Sequence, residues 1–406
     1  MESFKYVIIG GGMVAGFVAK EMVKQGLLEG ELCILSADTQ APYQRPPLSK
    51  GFLAGTEAIE KVFINREGFY AESGIDLRLG VHVAAVDLKG QDVRIAEGGL
   101  IGFENLLFAT GSSVRHVEIP GADLEGVYYL RTLDDCKRLK AAAAKAKHAV
   151  IVGGGFIGTE LAARLGELGP EVTFTYRESR VLSFFLTPEL SALYEGRYRA
   201  HGIQLSPETS AAAFLGTGKI EAVRLEDGEE IPADMVAVAV GVTPDVELAR
   251  EAGLEVDRGI LVNEFLETPV QDVYAAGDAA SWYDVNTHKH QHVEHEDNAR
   301  ATARHVARVM LGQRTPFDHV PMFWSDVYDI SWEFWGETKS ADQVVYRGEL
   351  DSAKFSVWWL KAGAVVGAMV TEDQHETVGA AAQAMVKARK TVDAAALADE
   401  GVALKA

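Results

Sequence analysis

The 406-residue chain alternates short, unbroken apolar runs with longer stretches in which apolar residues return every three or four positions. The first pattern suits parallel strands covered on both faces, and the second suits helices that bury one side. Tyr6-Val7-Ile8-Ile9 is such a run; the triplet Gly10-Gly11-Gly12 follows it, and the spacing then predicts a helix over Met13–Lys24. The same order returns at Val150-Ile151-Val152, Gly153-Gly154-Gly155 and a helix over Phe156–Leu168. Each of these units continues into a second apolar run, Leu32–Leu35 or Val172–Tyr176. Each closes on a strand that ends in glycine: Leu106-Leu107-Phe108-Ala109-Thr110-Gly111 in one case, Met235–Val240 and Gly241 in the other. One architecture is thus written twice. Between the copies, Val81–Ile101 alternates apolar and polar residues as antiparallel strands do, and Leu133–Lys147 predicts a helix. Later, Asp272–Ala276 reads as a buried strand running into Gly277-Asp278, and Asn298–Leu311 as a helix. From Pro321 the character changes: aromatic-rich strands at Ile330–Trp335 and Phe355–Leu360 and an alanine-rich helical tail from His375 predict a separate α+β domain.

A glycine triplet carries chemistry when a strand precedes it and a helix follows. The glycines permit a tight turn and close backbone approach, and the helix N-terminus then faces a pyrophosphate. Two such turns in context predict two bound dinucleotides. The expected fold class is α/β: two Rossmann-like nucleotide-binding domains and a C-terminal α+β domain, in keeping with a length too great for one ordinary core.

Composition narrows the class. With 48% hydrophobic and 24% charged residues the chain reads as an ordinary globular protein, and no apolar run reaches the roughly 20 residues of a membrane-spanning helix. The beginning shows no basic leader or cleavage site, so a cytoplasmic location is the expectation. A formal charge of −20 argues against nucleic acid or an anionic membrane as partner. Cys33 and Cys136 form no Cys-x-x-Cys pair, so no redox-active disulfide is expected within the chain. His288, His290, His292 and His295 recur at close spacing, but in a loop without cysteine they set no tetrahedral geometry, and no metal site is expected.

Taken together, the two glycine turns, Ala109-Thr110-Gly111 and the stretch Thr268–Asp278 resemble the two-nucleotide flavoprotein reductases. The loop Pro42-Tyr43-Gln44-Arg45-Pro46-Pro47-Leu48-Ser49-Lys50 is similar to a signature of the branch that holds ferredoxin and rubredoxin reductases, monodehydroascorbate reductase and apoptosis-inducing factor. Val293–Ala299 and Met322-Phe323-Trp324-Ser325-Asp326 agree with it. The resemblance implies a glutathione-reductase-like architecture: a discontinuous FAD domain over 1–115 and 247–318, an NAD(P) domain over 116–246 and a C-terminal domain over 319–406. It also implies a hydride passed from NAD(P)H to FAD, and electrons then passed to an external acceptor.

The candidate site residues follow position by position. Gly10, Gly12 and Ala15 are expected to cradle the FAD pyrophosphate, with Asp38, 23 positions after Ala15, toward the adenosine ribose. Ala109, Thr110 and Gly111 close that site, and the resemblance places Gly277-Asp278 on the ribityl chain, with Glu294, His295 and Glu296 nearby. It places Arg45 along the nucleotide and Lys50 near the flavin ring, paired with Glu160 so as to link the two nucleotide domains; Trp324 is the aromatic beside the flavin. Glu296 stands where relatives carry an aromatic residue or histidine. Gly153, Gly155, Gly158 and Gly241 are expected to hold the nicotinamide cofactor. Glu178 lies 20 residues after Gly158, a spacing suited to the ribose 2′-hydroxyl of NADH, whereas Arg177 suits the 2′-phosphate of NADPH. NADH is the expected donor and NADPH the alternative.

Without an internal disulfide the acceptor must be external, and a small ferredoxin- or rubredoxin-type iron–sulfur carrier is the first expectation. Arg300, Arg304 and Arg308, four positions apart on one helix, are candidates for its docking patch. The alternatives are a small oxidant such as a quinone or a monodehydroascorbate-like radical, and a redox-sensing interaction protein like apoptosis-inducing factor. A monomer or homodimer is expected.

Overall fold

The computed structural model describes residues 1–404, and residues 373, 376 and 377 by backbone alone. The chain divides into two compact units: Met1–Pro47 with Glu57–Ser113 and Val242–His319, and Leu48–Thr56 with Val114–Gly241 and Val320–Ala406.

In the first unit the run Glu2–Ile9 is the centre of a sheet, parallel to Leu32–Ser36 on one side and to Leu100–Phe108 on the other. Asp76–Leu79 extends the sheet beyond Leu32–Ser36, and Val273–Ala275 pairs in parallel with Leu100–Phe108. The alternating stretch forms an antiparallel meander, Val83–Asp87 with Asp92–Ile95 with the start of Leu100–Phe108. Val7, Ile8, Leu106, Leu107 and Phe108 are wholly buried, which explains their unbroken apolarity. The Met13–Lys24 helix packs beside Glu296–Met310, the longest helix of the unit.

In the second unit five parallel strands run in the order Gln204–Ser206, Glu171–Thr175, His148–Val152, Met235–Val238, Val127–Tyr129. The Phe156–Leu168 helix follows the central strand. A three-stranded antiparallel sheet, Ala211–Leu215, Ala222–Leu225 and Glu230–Pro232, lies between the last two parallel strands in sequence and lacks a strong apolar alternation of its own. The last part is a five-stranded antiparallel sheet, ordered Met322–Val327, Ile330–Gly336, Ala364–Thr371, Lys354–Lys361, Gln343–Glu349. Trp335 and Trp358 pack in a core with Met385 and Val386 of the Ala380–Lys387 helix.

The histidine-rich stretch differs from the loop expected. Lys289–His292 is a strand, antiparallel to Ala280–Asp284, and the two-residue spacing of its histidines is the side-chain period of that strand. Among the described residues no three His, Cys, Asp or Glu side chains form a metal-ligating group, and no helix is long and apolar enough to cross a membrane.

Candidate functional site

Both glycine turns are built alike. Gly10 and Gly153 sit at φ +112° and +116°, a region that favours glycine. A Cβ at Gly10 would lie 2.1 Å from the Ala109 carbonyl oxygen, and one at Gly153 2.3 Å from that of Ala239. The strand that closes each unit therefore presses directly on its turn. Gly12 and Gly155 are the N-caps of the following helices, and neither helix has a capping side chain or an acid in its first turn. A Cβ at Gly12 or Gly155 would meet nothing within 4 Å. Each helix N-terminus, with no acid to offset its dipole, thus faces open space, the arrangement a pyrophosphate requires. Ala15 is fully buried in its helix, whereas a Cβ at Gly158 would fall 1.9 Å from the Gly153 carbonyl oxygen.

Around the first turn, Ser36 stands over the glycines: a Cβ at Gly11 would lie 2.0 Å from its Oγ. The Asp38 carboxylate accepts from the Tyr43 hydroxyl (2.8 Å) and the Gln40 N–H (2.9 Å), and Arg45 donates to the Tyr43 oxygen (3.2 Å) and lies over that ring. Ala109 is buried, the Thr110 hydroxyl donates to the Asp245 carbonyl (2.5 Å), and Gly111 turns the chain at φ +74°. Gly277 and Asp278 open a short 3₁₀ turn after Val273–Ala275. The Ser112 hydroxyl donates to Asp278 Oδ2 (2.6 Å), and His292 Nε2 lies 2.8 Å from the Asp278 carbonyl oxygen. His295 is the N-cap of the Glu296–Met310 helix; burial pushes its imidazole down to about 4, against the opposing pull of Asp278 and Asp297. Glu294 is exposed beside it.

Glu296 pairs with Arg300, one helical turn on, and Arg300 and Arg304 lie 5.5 and 5.9 Å over the Phe17 ring. Arg308 donates to the buried Glu21 (2.7 Å). The three arginines therefore hold this helix to Met13–Lys24, and two of the three charges are neutralised. Arg304 and Arg308 remain exposed on this helix; four-residue spacing sets their common face but not what it meets.

In the second unit three distant segments converge. Leu48–Thr56 belongs to this unit, tied by the Cys136 thiol on the Leu48 carbonyl (3.2 Å) and by Lys140 on the Phe52 carbonyl (2.7 Å). The Lys50–Glu160 ion pair is consequently internal to the second unit. Glu160 is also held by the hydroxyls of Ser49 on Oε2 (2.5 Å) and Ser325 on Oε1 (2.8 Å), and the Lys50 ammonium lies 4.6 Å above the Trp324 ring. Lys50, Glu160, Ser49 and Ser325 are 8%, 5%, 3% and 1% exposed, so this is a buried polar cluster with every charge matched. Sequence reasoning finds Lys50, Glu160 and Trp324 and misses both serines. The only signal is that each is the chain neighbour of a candidate.

Over the second turn, a Cβ at Gly154 would lie 2.8 Å from Tyr176 Cβ and 3.1 Å from Glu178 Oε2. Glu178 is exposed, and its backbone is fixed by the Glu208 N–H on its carbonyl (3.1 Å). Arg177 is also exposed, but its guanidinium reaches Glu226 at 3.5 Å. Gly241 turns at φ +102°, with Arg115 Cδ 3.9 Å from where its Cβ would stand. Cys33 and Cys136 are free and buried, and burial pushes both thiols up to about 12. The two form no disulfide, the group that would receive electrons within the chain.

Two open helix N-termini on two glycine turns, a buried cation–carboxylate anchor and no reactive thiol define a two-nucleotide flavoprotein reductase. The comparisons with known proteins agree. The model of the pyridine nucleotide-disulphide oxidoreductase family matches residues 4–303, a reductase C-terminal domain matches 322–406, and the chain belongs to that family. It is 36% identical to the peroxisomal monodehydroascorbate reductase 4 of Arabidopsis thaliana, over 99% of this chain and 86% of the relative. It is 34% identical to the ferredoxin reductase subunit of a 5,5′-dehydrodivanillate O-demethylase from Sphingobium sp., over 100% of this chain and 98% of the relative. The reductase in a covalent putidaredoxin reductase–putidaredoxin complex superposes with a TM-score of 0.93 at 31% identity, covering 100% of this chain and 98% of that one. The protein is an FAD-dependent NAD(P)H oxidoreductase that delivers electrons to an external acceptor.

Proposed function

We propose that the chain carries electrons from NADH to a small ferredoxin-type iron–sulfur protein. The observation that carries the external acceptor is that Cys33 and Cys136 are both free and form no disulfide to take the electrons. The carrier class rests on the likeness over full length to a reductase bound to putidaredoxin and to a ferredoxin reductase subunit.

In this reading residues 1–115 and 247–318 hold FAD and 116–246 hold NADH. Gly10, Gly12 and Ala15 receive the FAD pyrophosphate at the open helix terminus, with Ala109 and Thr110 pressing on the turn and Gly111 leading the chain away from it. Asp278, oriented by Ser112, accepts from the ribityl hydroxyls, while Asp38 and Arg45, joined through Tyr43, border the adenosine end. Glu294, His295 and Glu296 line the remaining side, Glu296 through its bond to Arg300. Gly153, Gly155, Gly158 and Gly241 receive the NADH pyrophosphate. Glu178 accepts from the ribose hydroxyl and opposes a 2′-phosphate, and Arg177 is engaged by Glu226. Lys50, held by Glu160 and set over Trp324, supplies positive charge that favours the reduced, anionic ring. Bound FAD itself provides the chemistry of taking an electron pair and releasing it singly or together. Two free cysteines suit a reducing compartment, which supports a cytoplasmic setting.

A second reading, reduction of a monodehydroascorbate-like radical, is favoured by the 36% identity to the plant enzyme. Steady-state turnover with a [2Fe–2S] ferredoxin, the monodehydroascorbate radical and a quinone, each with NADH and NADPH, separates the two. The ferredoxin reading expects the highest kcat/KM with the iron–sulfur protein and NADH. A higher value with the radical replaces it by the second reading.

A further inference from the structure

We propose that Ser49 and Ser325 are positioning residues that act through Glu160 to hold the Lys50 ammonium at its place over Trp324. The proposal rests on the reading that Lys50 faces the bound flavin.

The geometry is asymmetric in an informative way. Oε1 of Glu160 takes both the Lys50 ammonium and the Ser325 hydroxyl, and Oε2 takes the Ser49 hydroxyl. A carboxylate offers about four acceptor sites on its two oxygens, and a planar group gripped on both oxygens cannot rotate about its last bond. The acceptor and its hydroxyl donors come from three separate segments. Ser49 ends the Pro46–Ser49 turn, Glu160 lies in the Phe156–Leu168 helix, and Ser325 lies on Met322–Val327, the edge strand of the C-terminal sheet. Because Ser49 occupies Oε2, Lys50 meets a single carboxylate oxygen. Its ammonium stays shared between that oxygen and the electron-rich face of Trp324, 4.6 Å away.

Remove the hydroxyls and the balance changes. Glu160 is then free to turn both oxygens toward Lys50, and a two-oxygen grip in a buried setting draws the ammonium off the indole. The serines thus set where the positive charge sits, while Lys50 and Glu160 supply the charges themselves. Less positive charge toward the flavin means less stabilisation of its reduced form and a lower midpoint potential.

The test is spectroelectrochemistry of the FAD-loaded protein together with its tryptophan fluorescence. Ser49→Ala and Ser325→Ala are each expected to disfavour the reduced flavin about tenfold, the scale of one hydrogen bond to a charged group, or about 30 mV downward for a two-electron couple. Ser325→Thr, which keeps the hydroxyl, should restore the wild-type potential. In a Glu160→Gln background the serine substitutions should add little further change. Indole fluorescence should shift in the alanine variants and in Glu160→Gln, and not in Ser325→Thr. Unchanged potential in a Ser49→Ala/Ser325→Ala protein that still retains FAD overturns the proposal, as does an equal shift with and without Glu160. Failure of the wild-type protein to retain FAD or to be reduced by NAD(P)H is a different result, and overturns the underlying assignment instead.

Discussion

The two glycine turns share one backbone design and differ in how tightly the next helix sits. In the first, the third position of the motif is Ala15, a methyl group buried without conflict; in the second it is Gly158, where the same methyl would lie 1.9 Å from the Gly153 carbonyl oxygen. The second helix has therefore closed on its turn until only hydrogen fits. The residue standing over the glycines also differs: Ser36 in the first turn, Tyr176 and Glu178 in the second. The acid of the first, Asp38, is spent on Tyr43 and Gln40, while that of the second is exposed beside the turn. A repeated motif thus keeps one feature in both units, an uncapped helix end facing open space, and varies the side chains that stand over it.

The difference in closeness is the largest effect to test. Gly158→Ala should cost about 3 kcal/mol or more, because the clash is with backbone that cannot rotate away. Ala15→Gly should cost only about 1 kcal/mol, from helix propensity. Urea unfolding measures the contrast, and the KM for NADH should rise at least about tenfold in Gly158→Ala while FAD content stays near normal. Similar costs at the two positions would mean that the helices sit at equal distance after all.

Acid should weaken the neighbourhood of the first turn through His295. Its folded value of about 4 lies below the ordinary 6.5, so the unfolded chain takes up a proton that the folded one refuses. Stability is then complete above pH 6.5 and falls as pH drops from 6.5 toward 4, by about 3 kcal/mol at the lower end. His295→Gln should lose most of that dependence, as read by urea melts of the FAD-saturated protein at pH 7 and 4.5. An unaltered slope would place the acid sensitivity elsewhere.

The smallest expected effect sharpens the ribose comparison. Glu178→Ala should shift the ratio of kcat/KM toward NADPH by roughly 1–2 kcal/mol, and Asp38→Ala should leave that ratio unchanged while weakening FAD retention by a similar amount. Further gain on adding Glu226→Ala would show that Arg177 is withheld from the 2′-phosphate by its partner. A shift in nicotinamide preference from Asp38→Ala would reverse the assignment of the two turns.

Much of this was legible along the chain because it depends on local periodicity and on glycine. The two turns, the helices Met13–Lys24 and Phe156–Leu168, the meander and the aromatic-rich final sheet all follow from patterns within a dozen residues. The small sheet formed by Ala211–Leu215, Ala222–Leu225 and Glu230–Pro232 was not, since its strands are short and its alternation weak. The histidine run shows the same limit from the other side, for its period of two is that of a strand but its residues are those of a loop.

What the sequence alone determined is the pair of glycine turns with their helices, and its motif resemblance singled out Lys50, Glu160 and Trp324, which the fold brings together. Only the tertiary structure decided what their charges meet. It brought Ser49 and Ser325 onto Glu160 across more than a hundred residues of chain in each direction, and it spent Arg300 and Arg308 on Glu296 and Glu21. It also left no room for a side chain at Gly158, where a Cβ would lie 1.9 Å from the Gly153 carbonyl oxygen, while Ala15 keeps its methyl group. The physical reason is range: periodicity and turn chemistry act over a few residues, whereas charge pairing and close packing depend on which distant segments the fold sets side by side.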